Sequence, residues 1–332
     1  MRAVLVKEKG GPEQLYLGET LTPQPSPGEL LVRVKATALN RADLLQRRGL
    51  YPPPQGASPI LGLEMAGEVV ETGEHASKWQ VGDRVCALLP GGGYAEYVTI
   101  PEGMAMPIPP AFSYEEAAAI PEVWLTAYLN LYWLGGLGRG CRVLVHAGAS
   151  GVGTAAIQLI REAGGLCWVT AGSERKLERC RELGAEDGWN YRNGSFAPWL
   201  AEQVPEGVHI VMDFIGASYL QDNLEALAVD GRLILIGTMG GGIYEGPLNL
   251  GHMLMKRLQV LGTNLRMRDT AEKIRLSQEF SDYAMPLFEK GTLKPVIDRV
   301  YDWREAAEAH RYMERNENIG KIILQVDKPN EL

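Results

Sequence analysis

The chain has 332 residues, of which 45% are hydrophobic, and a formal charge of −8. That length suits two domains, each large enough to bury a core. The acidic balance, with arginines and lysines scattered, argues against nucleic-acid binding, and no uncharged apolar run is long enough to span a bilayer. The chain opens at Met1 on strand-like alternation with no apolar signal region, so a cytoplasmic location is expected. Cys86, Cys141, Cys167 and Cys180 follow no metal or disulfide spacing and read as reduced packing residues.

In chain order, residues 2–6 and 30–36 read as strands, separated by a proline-rich stretch at 22–29 that can be neither helix nor central strand. Residues 40–48 read as a short helix ended by Gly49, followed by the extended loop Tyr51-Pro52-Pro53-Pro54. Residues 67–73, 83–89 and 94–100 are further strands, the last two divided by Gly91-Gly92-Gly93. Strands this short, punctuated this often, predict a barrel-like antiparallel domain. The pattern changes near Pro121. Residues 123–129 are helical, and from Cys141 strands (141–145, 166–171, 187–190, 208–213, 232–236, 258–263) alternate with helical segments such as 174–183. That alternation predicts a parallel sheet covered by helices. A long helix at 271–290 and strands at 298–301 and 321–326 return to the first character. The expected organisation is one domain from 1–122 and 271–332, with a second, 123–270, inserted; periodicity alone leaves three consecutive units as the alternative.

The stretch His146-Ala147-Gly148-Ala149-Ser150-Gly151-Val152-Gly153 lies between an apolar strand and a helix-spaced apolar run. A strand, a glycine-rich turn and a helix suit a dinucleotide pyrophosphate, because the backbone can approach the phosphates and the unpaired N–H groups of the first turn face the anion. A bare surface turn is the alternative. The next strand ends in Ala171-Gly172-Ser173, without the carboxylate that would hold a ribose diol. Small residues there leave room for a 2′-phosphate, and Arg175 or Lys176 can pair with it, with Tyr191 as a further donor. NADPH is therefore expected over NADH, although Glu174 can swing toward a ribose and weakens the argument.

With these motifs in place the chain resembles the zinc-independent, zeta-crystallin-like quinone oxidoreductase branch of the medium-chain dehydrogenase/reductases, in its tumour-suppressor-inducible type. The resemblance covers nearly the full length. It rests on 38–43 with Gln46, Arg47 and Tyr51, on 60–64 with Gly67, and on 89–93, 118–122 and 124–127. The glycine turn, 237–242 and 316–321 complete it. It implies an α/β protein in which a GroES-like β-barrel catalytic domain carries an inserted Rossmann domain that binds NADPH. By position, Ser150, Gly151 and Val152 would meet the pyrophosphate, and Gly172, Ser173, Lys176 and Tyr191 the 2′-phosphate. Thr126, Met239, Gly240 and Leu265 would lie near the nicotinamide, and Asn318 near the cofactor. Many relatives carry glycine where Ser150 stands. The resemblance also implies a homodimer joined through the edge strand near 261–266.

Zinc-dependent members of this superfamily need a cysteine ligand and a histidine directly before a glutamate. The corresponding positions here are Asn40 and Leu63 before Glu64, neither a usual zinc ligand, so no metal is expected. Reduction of an acceptor that is already electrophilic needs none. A quinone or related acceptor fits, with Asn40 orienting a carbonyl oxygen, Tyr51 donating to a developing oxyanion and Asp43 holding Asn40 or a water. Asn40 and Asp43 also stand where helix caps stand, and Tyr51 could pack on the prolines. Glu64 is expected to anchor loops between the domains, and His146 to be a packed histidine. Two other functions are carried: an alkenal or enone double-bond reductase on the same scaffold, and an NADPH-binding structural or redox-sensing protein with little turnover.

Overall fold

A computed structural model describes residues 1–326; the last residues of the second expected segment, 327–332, lie outside the described ones. The chain divides into two compact units, one formed by Met1–Leu125 with Arg266–Leu332, the other by Thr126–Leu265.

The first segment contributes strands β1 (Arg2–Val6), β2 (Leu15–Glu19) and β3 (Glu29–Ala38), helix α1 (Arg41–Arg47), and strands β4 (Glu64–Thr72), β5 (Arg84–Leu88), β6 (Tyr97–Pro101) and β7 (Met106–Pro107). Helices α2 (Tyr114–Ala118) and α3 (Pro121–Tyr128) follow. Strand β3 organises this unit. It pairs antiparallel with β4 and β6, and later with the C-terminal strand. Its Leu30, Val32 and Val34 alternate into the core, where they meet Val69, Val85 and Ile100, the period-two pattern of a sheet with one buried face. The expected strand at 94–100 starts later, because Tyr94 and Ala95 turn to meet β1 through an Ala3–Ala95 bridge.

The second unit alternates as expected: β8 (Arg142–Val145), α4 (Gly151–Glu162), β9 (Leu166–Ala171), α5 (Glu174–Leu183), β10 (Asp187–Asn190), α6 (Ala197–Gln203), β11 (Val208–Asp213), α7 (Leu220–Ala226), β12 (Leu227–Leu235), α8 (Leu250–Lys256) and β13 (Gln259–Gly262). The six strands run in the order β10-β9-β8-β11-β12-β13, every pair parallel. Val143, Leu144 and Val145 of the central β8 are 0% exposed, as expected for a strand covered on both faces. Leu144 sits in register with Trp168 and Val211, and Val211 with Leu233, so one row of side chains crosses four strands and packs against Phe196 and Leu200. Strand order reverses between β8 and β11. At such a switch point the connections leave in opposite directions and open a crevice at the carboxyl ends of the strands.

The chain then returns to the first unit with α9 (Thr270–Glu289), β14 (Ile297–Asp302), α10 (Ala306–Glu314) and β15 (Lys321–Gln325). Strand β15 pairs antiparallel with β3 and parallel with β14, which completes the sheet in the order β14-β15-β3-β4-β5-β7. The first residue of β15 locks this closure. Lys321 is 3% exposed. Its ammonium lies 2.7 Å from Glu64 Oε1 and donates to Asn40 Oδ1 and to the Leu39 carbonyl, both at 2.8 Å. Glu64 in turn accepts from the Asn40 amide at 2.8 Å and from the Glu122 backbone N–H at 2.8 Å. Through these bonds Glu64 ties β4 to the start of α1, to β15 and to α3.

A buried pair that loses one partner leaves an uncompensated charge. Lys321→Met is therefore expected to lower unfolding stability by about 3–5 kcal/mol, read from urea denaturation followed by tryptophan fluorescence. A loss within the range of an ordinary surface substitution would show that Lys321 does not hold the closure.

Candidate functional site

In the second unit the turn from β8 to α4 has the geometry of an anion site. Ser150 is the N-cap of α4, with extended backbone, and its hydroxyl oxygen accepts the Gly153 N–H at 3.0 Å. Ser150 therefore serves as a helix cap, while Gly151 and Val152 occupy the first turn with their N–H groups unclaimed by the helix. A side chain at Gly148 would put a Cβ 2.7 Å from the Val169 Cβ, and one at Gly153 would put it 2.5 Å from the Ala147 carbonyl. Both glycines are needed for the turn to lie flat on β9 and on itself. Ala147 holds φ at +51°, a strained value for alanine.

Behind this turn sits a buried polar chain. His146 is 0% exposed, with Nδ1 2.9 Å from the Thr170 hydroxyl and Nε2 2.7 Å from Asn223 Oδ1. Phe196 and Tyr219 meet its ring edge-on. Burial pulls its pKa down to about 4. With both ring nitrogens engaged, His146 is a neutral packing group. Asp213, at the end of β11, accepts from the Ile215 and Gly216 N–H groups at 2.7 and 3.1 Å and shapes the loop there, with burial raising its carboxyl to about 6. That loop is bonded to the next one: Met239 N–H donates to the Phe214 carbonyl at 3.1 Å and Gly240 N–H to that of Ile215 at 2.7 Å. A Cβ on Gly240 would collide with Ser218 and Ile215. The Met239 side chain is exposed, while Thr126 and Leu265 are buried at the two ends of the unit's chain.

At the tip of β9, Ser173 caps α5 by accepting the Lys176 N–H at 3.4 Å. A Cβ on Gly172 would strike the Tyr191 hydroxyl, so glycine lets the phenol lie against the backbone. Gly172, Ser173, Lys176 and Tyr191 are thus brought together. Glu174 is drawn the other way. Its carboxylate bonds Arg181 Nη1 at 2.7 Å, and Arg181 also bonds Asp187 at 3.1 Å. The sequence offered no sign of this arrangement.

In the first unit, Asn40, Asp43 and Tyr51 come from α1 and the loop that follows. Asp43 is 0% exposed. Its carboxylate accepts the Asn40 N–H at 2.7 Å, as a helix-capping aspartate does, and the Gly62 N–H at 3.0 Å. Burial pushes its pKa up to about 6 against those hydrogen bonds and against Lys321 and Arg266. The Asn40 side chain, 8% exposed, is spanned between Glu64 and Lys321. Tyr51 does not simply lie on its prolines; its ring stacks on the Arg266 guanidinium, 5.2 Å from centre to carbon. Asn318 belongs to this unit and donates to the Gly320 carbonyl at 2.8 Å. Sequence reasoning passed over Glu122, Arg266 and Lys321. A lone cation opening the apolar run Lys321-Ile322-Ile323-Leu324 was a usable signal; the other two carry none. Glu122 is partly buried, and desolvation, with Glu64 next in weight, raises its carboxyl to about 8, Lys321 opposing. It is protonated at neutral pH.

Two family models match the chain, an alcohol dehydrogenase GroES-like domain over residues 26–110 and a zinc-binding dehydrogenase model over 183–324. The human synaptic vesicle membrane protein VAT-1 homolog is 32% identical, across 98% of this chain and 86% of its own. Rat quinone oxidoreductase is 29% identical over 98% and 97%. The chain belongs to the medium-chain dehydrogenase/reductase superfamily. It is an oxidoreductase of that superfamily, in the quinone oxidoreductase branch. The structure of Escherichia coli quinone oxidoreductase complexed with NADPH matches with a TM-score of 0.87 at 28% identity, covering 98% of this chain and 100% of that one. CurK enoyl reductase matches with a TM-score of 0.84 at 28% identity, over 98% and 99%. The GroES-like and Rossmann architecture of the superfamily describes the two units. Although one matching model is described as zinc-binding, among the described residues no group of three or more His, Cys, Asp or Glu side chains could hold a metal ion.

The Glu122 shift has a consequence for stability. Its folded pKa, about 8, lies above the ordinary glutamate value of about 4.3. Below the ordinary value both states are protonated. As pH rises the unfolded chain releases its proton first, so stability falls until the folded carboxyl also ionises. Relative to Glu122→Gln, the wild type should lose up to about 1.4 kcal/mol per pH unit through that window, with no further divergence above it. Parallel urea midpoints for the two proteins across pH would refute the raised carboxyl.

Proposed function

We propose that this protein is a zinc-independent, NADPH-dependent quinone reductase. The observation that carries the cofactor choice is the commitment of Glu174 to Arg181, beside a tip formed by Gly172, Ser173, Lys176 and Tyr191. A 2′-phosphate suits that tip: Gly172 lets the Tyr191 hydroxyl lie at it as a donor, and the first turn of α5 with Lys176 supplies positive charge. Ser150, Gly151 and Val152 hold the pyrophosphate at the first turn of α4. Thr126, Met239, Gly240 and Leu265 line the nicotinamide end, and Asn318 completes the set. When bound, NADPH supplies a hydride. Asn40, Asp43 and Tyr51 form the acceptor end, where Tyr51 donates to the oxygen that gains charge and Asp43 fixes the start of α1. Asn40 and Leu63 stand where zinc ligands would be needed, so the acceptor is one that takes hydride without a Lewis acid.

A second reading, reduction of an alkenal or enone double bond, is supported by the equal likeness to an enoyl reductase. A third, cofactor binding with little turnover, uses the same second unit. We further propose a cytoplasmic homodimer. Strand β13 is the outer strand of its sheet, and Val260 on it and Leu250, Leu254 and Met255 on α8 are exposed. A bare apolar edge of this kind invites pairing, and a second copy satisfies it symmetrically.

Purified protein should oxidise NADPH with an ortho-quinone faster than NADH, and Lys176→Ala should reduce that preference at least about tenfold, the worth of one charge-assisted contact. Turnover with an alkenal alone would move the assignment to double-bond reduction; no turnover with either would favour the third reading. Light scattering at micromolar concentration should give the mass of two chains, and a mass of one would overturn the dimer.

A further inference from the structure

Arg266 opens the second segment of the first unit and is 7% exposed. Its Nε and Nη2 donate to the Pro90 carbonyl at 3.0 and 2.7 Å, and Nη2 also to Gln46 Oε1 at 2.6 Å. The Tyr51 ring covers the guanidinium. Nη1 is buried and has no hydrogen-bond partner among the described residues. An unpaired buried N–H costs about 1–3 kcal/mol, more when it carries charge. Such an atom in an otherwise well-bonded side chain calls for an explanation, and a ligand oxygen supplies one.

The surroundings narrow the ligand. Gln46 and Tyr51 lie on α1 and its following loop, the segment that carries Asn40 and Asp43. Burial works against the guanidinium's charge, while Tyr51, Asp43 and Glu122 support it. Because Nε and Nη2 are committed to Pro90 and Gln46, the bidentate fork that a carboxylate or phosphate prefers is already used. One donor nitrogen, Nη1, remains, beside a flat aromatic ring. That arrangement suits a single oxygen on a planar conjugated molecule.

We propose that Arg266 is the oxyanion-binding residue of the acceptor site: Nη1 donates to the acceptor oxygen that becomes a phenolate or enolate on reduction, and Tyr51 keeps the guanidinium plane in place. This rests on the reading of the chain as a reductase of quinones or enones. In that reaction the acceptor gains the hydride, the electron pair of its conjugated system moves onto the oxygen, and a proton from water completes the reduced product. One NADPH becomes one NADP⁺. Arg266 acts while the oxygen is still anionic, where a preorganised donor in a water-poor site has its largest effect.

Binding of p-nitrophenol, with NADP⁺ present, tests this without turnover, because the phenolate and the neutral phenol absorb differently. Wild-type protein should bind the phenolate at least about tenfold more tightly than the phenol, about 1.4 kcal/mol. Arg266→Met should lose most of that preference, keeping only what the Tyr51 hydroxyl supplies, with NADPH affinity by fluorescence unchanged. A merely structural arginine would weaken both forms together and leave the preference intact. That result, or a wild type without the preference, overturns the proposal. Should Arg266→Met fail to fold, Arg266→Lys keeps the charge and should keep part of the preference; a folded lysine variant with none also counts against it. An Arg266-dependent preference in a protein that reduces neither quinones nor enones would overturn the reductase reading and leave the oxyanion site standing. Turnover without the preference would do the reverse.

Discussion

The first unit depends on one buried ammonium. Lys321 is held by Glu64, Asn40 and the Leu39 carbonyl, which belong to two parts of the chain, both far from Lys321 in sequence. Desolvating an ion pair is costly, and the geometry must be close and fully bonded to offset it. Here it is: Glu64 also accepts from Asn40 and from the Glu122 backbone. The contact joins the strand that closes the sheet to the strand at its centre. It thereby allows one folding unit to be assembled from two chain segments, with the whole parallel-sheet unit inserted between them.

The same cluster sets the electrostatics of the proposed acceptor end. Asp43, Glu64 and Glu122 face Lys321 and Arg266 inside a small desolvated volume. The loss of water, with repulsion from Glu64 and Asp43 added to it, keeps a proton on Glu122 at neutral pH, while burial alone raises Asp43. The two cations divide the work. Lys321 is saturated by its partners and is structural. Arg266 keeps its Nη1 without a hydrogen-bond partner among the described residues, which leaves it bonding capacity for a ligand.

The parallel unit follows a different logic. Its polar groups gather at the carboxyl ends of β8, β9 and β11, where strand order reverses. His146 bonds to Thr170 and Asn223, Asp213 accepts from the backbone of the loop after β11, and both support the loops around the proposed dinucleotide site. None of them needs to touch a ligand to matter, since a turn that must lie flat on a neighbouring strand depends on what is packed beneath it.

What could be read from the sequence was local. Helix α5 matches its expected bounds because Ser173 caps it and Gly184, at φ +117°, stops it in the left-handed conformation, and both signals lie within the segment. The strand–glycine turn–helix order and the alternation of strands with helices were legible for the same reason. Strand β2 and helix α10 were not expected, although the Asp302–Glu305 capping box just before α10 was a usable mark. What only the tertiary structure decided was the pairing of charges. The sequence placed Glu174 where it could hold a ribose; Arg181, two turns along the same helix, binds it instead. Asn40 reads as a free amide until Lys321, 281 residues away, reaches it. Arg266 carries no local pattern, and its role depends on Pro90, Gln46 and Tyr51 arriving around it. Periodicity and capping are short-range rules, whereas the partner of a buried ion is chosen by the fold, which excludes water from it and brings together residues that no spacing rule connects.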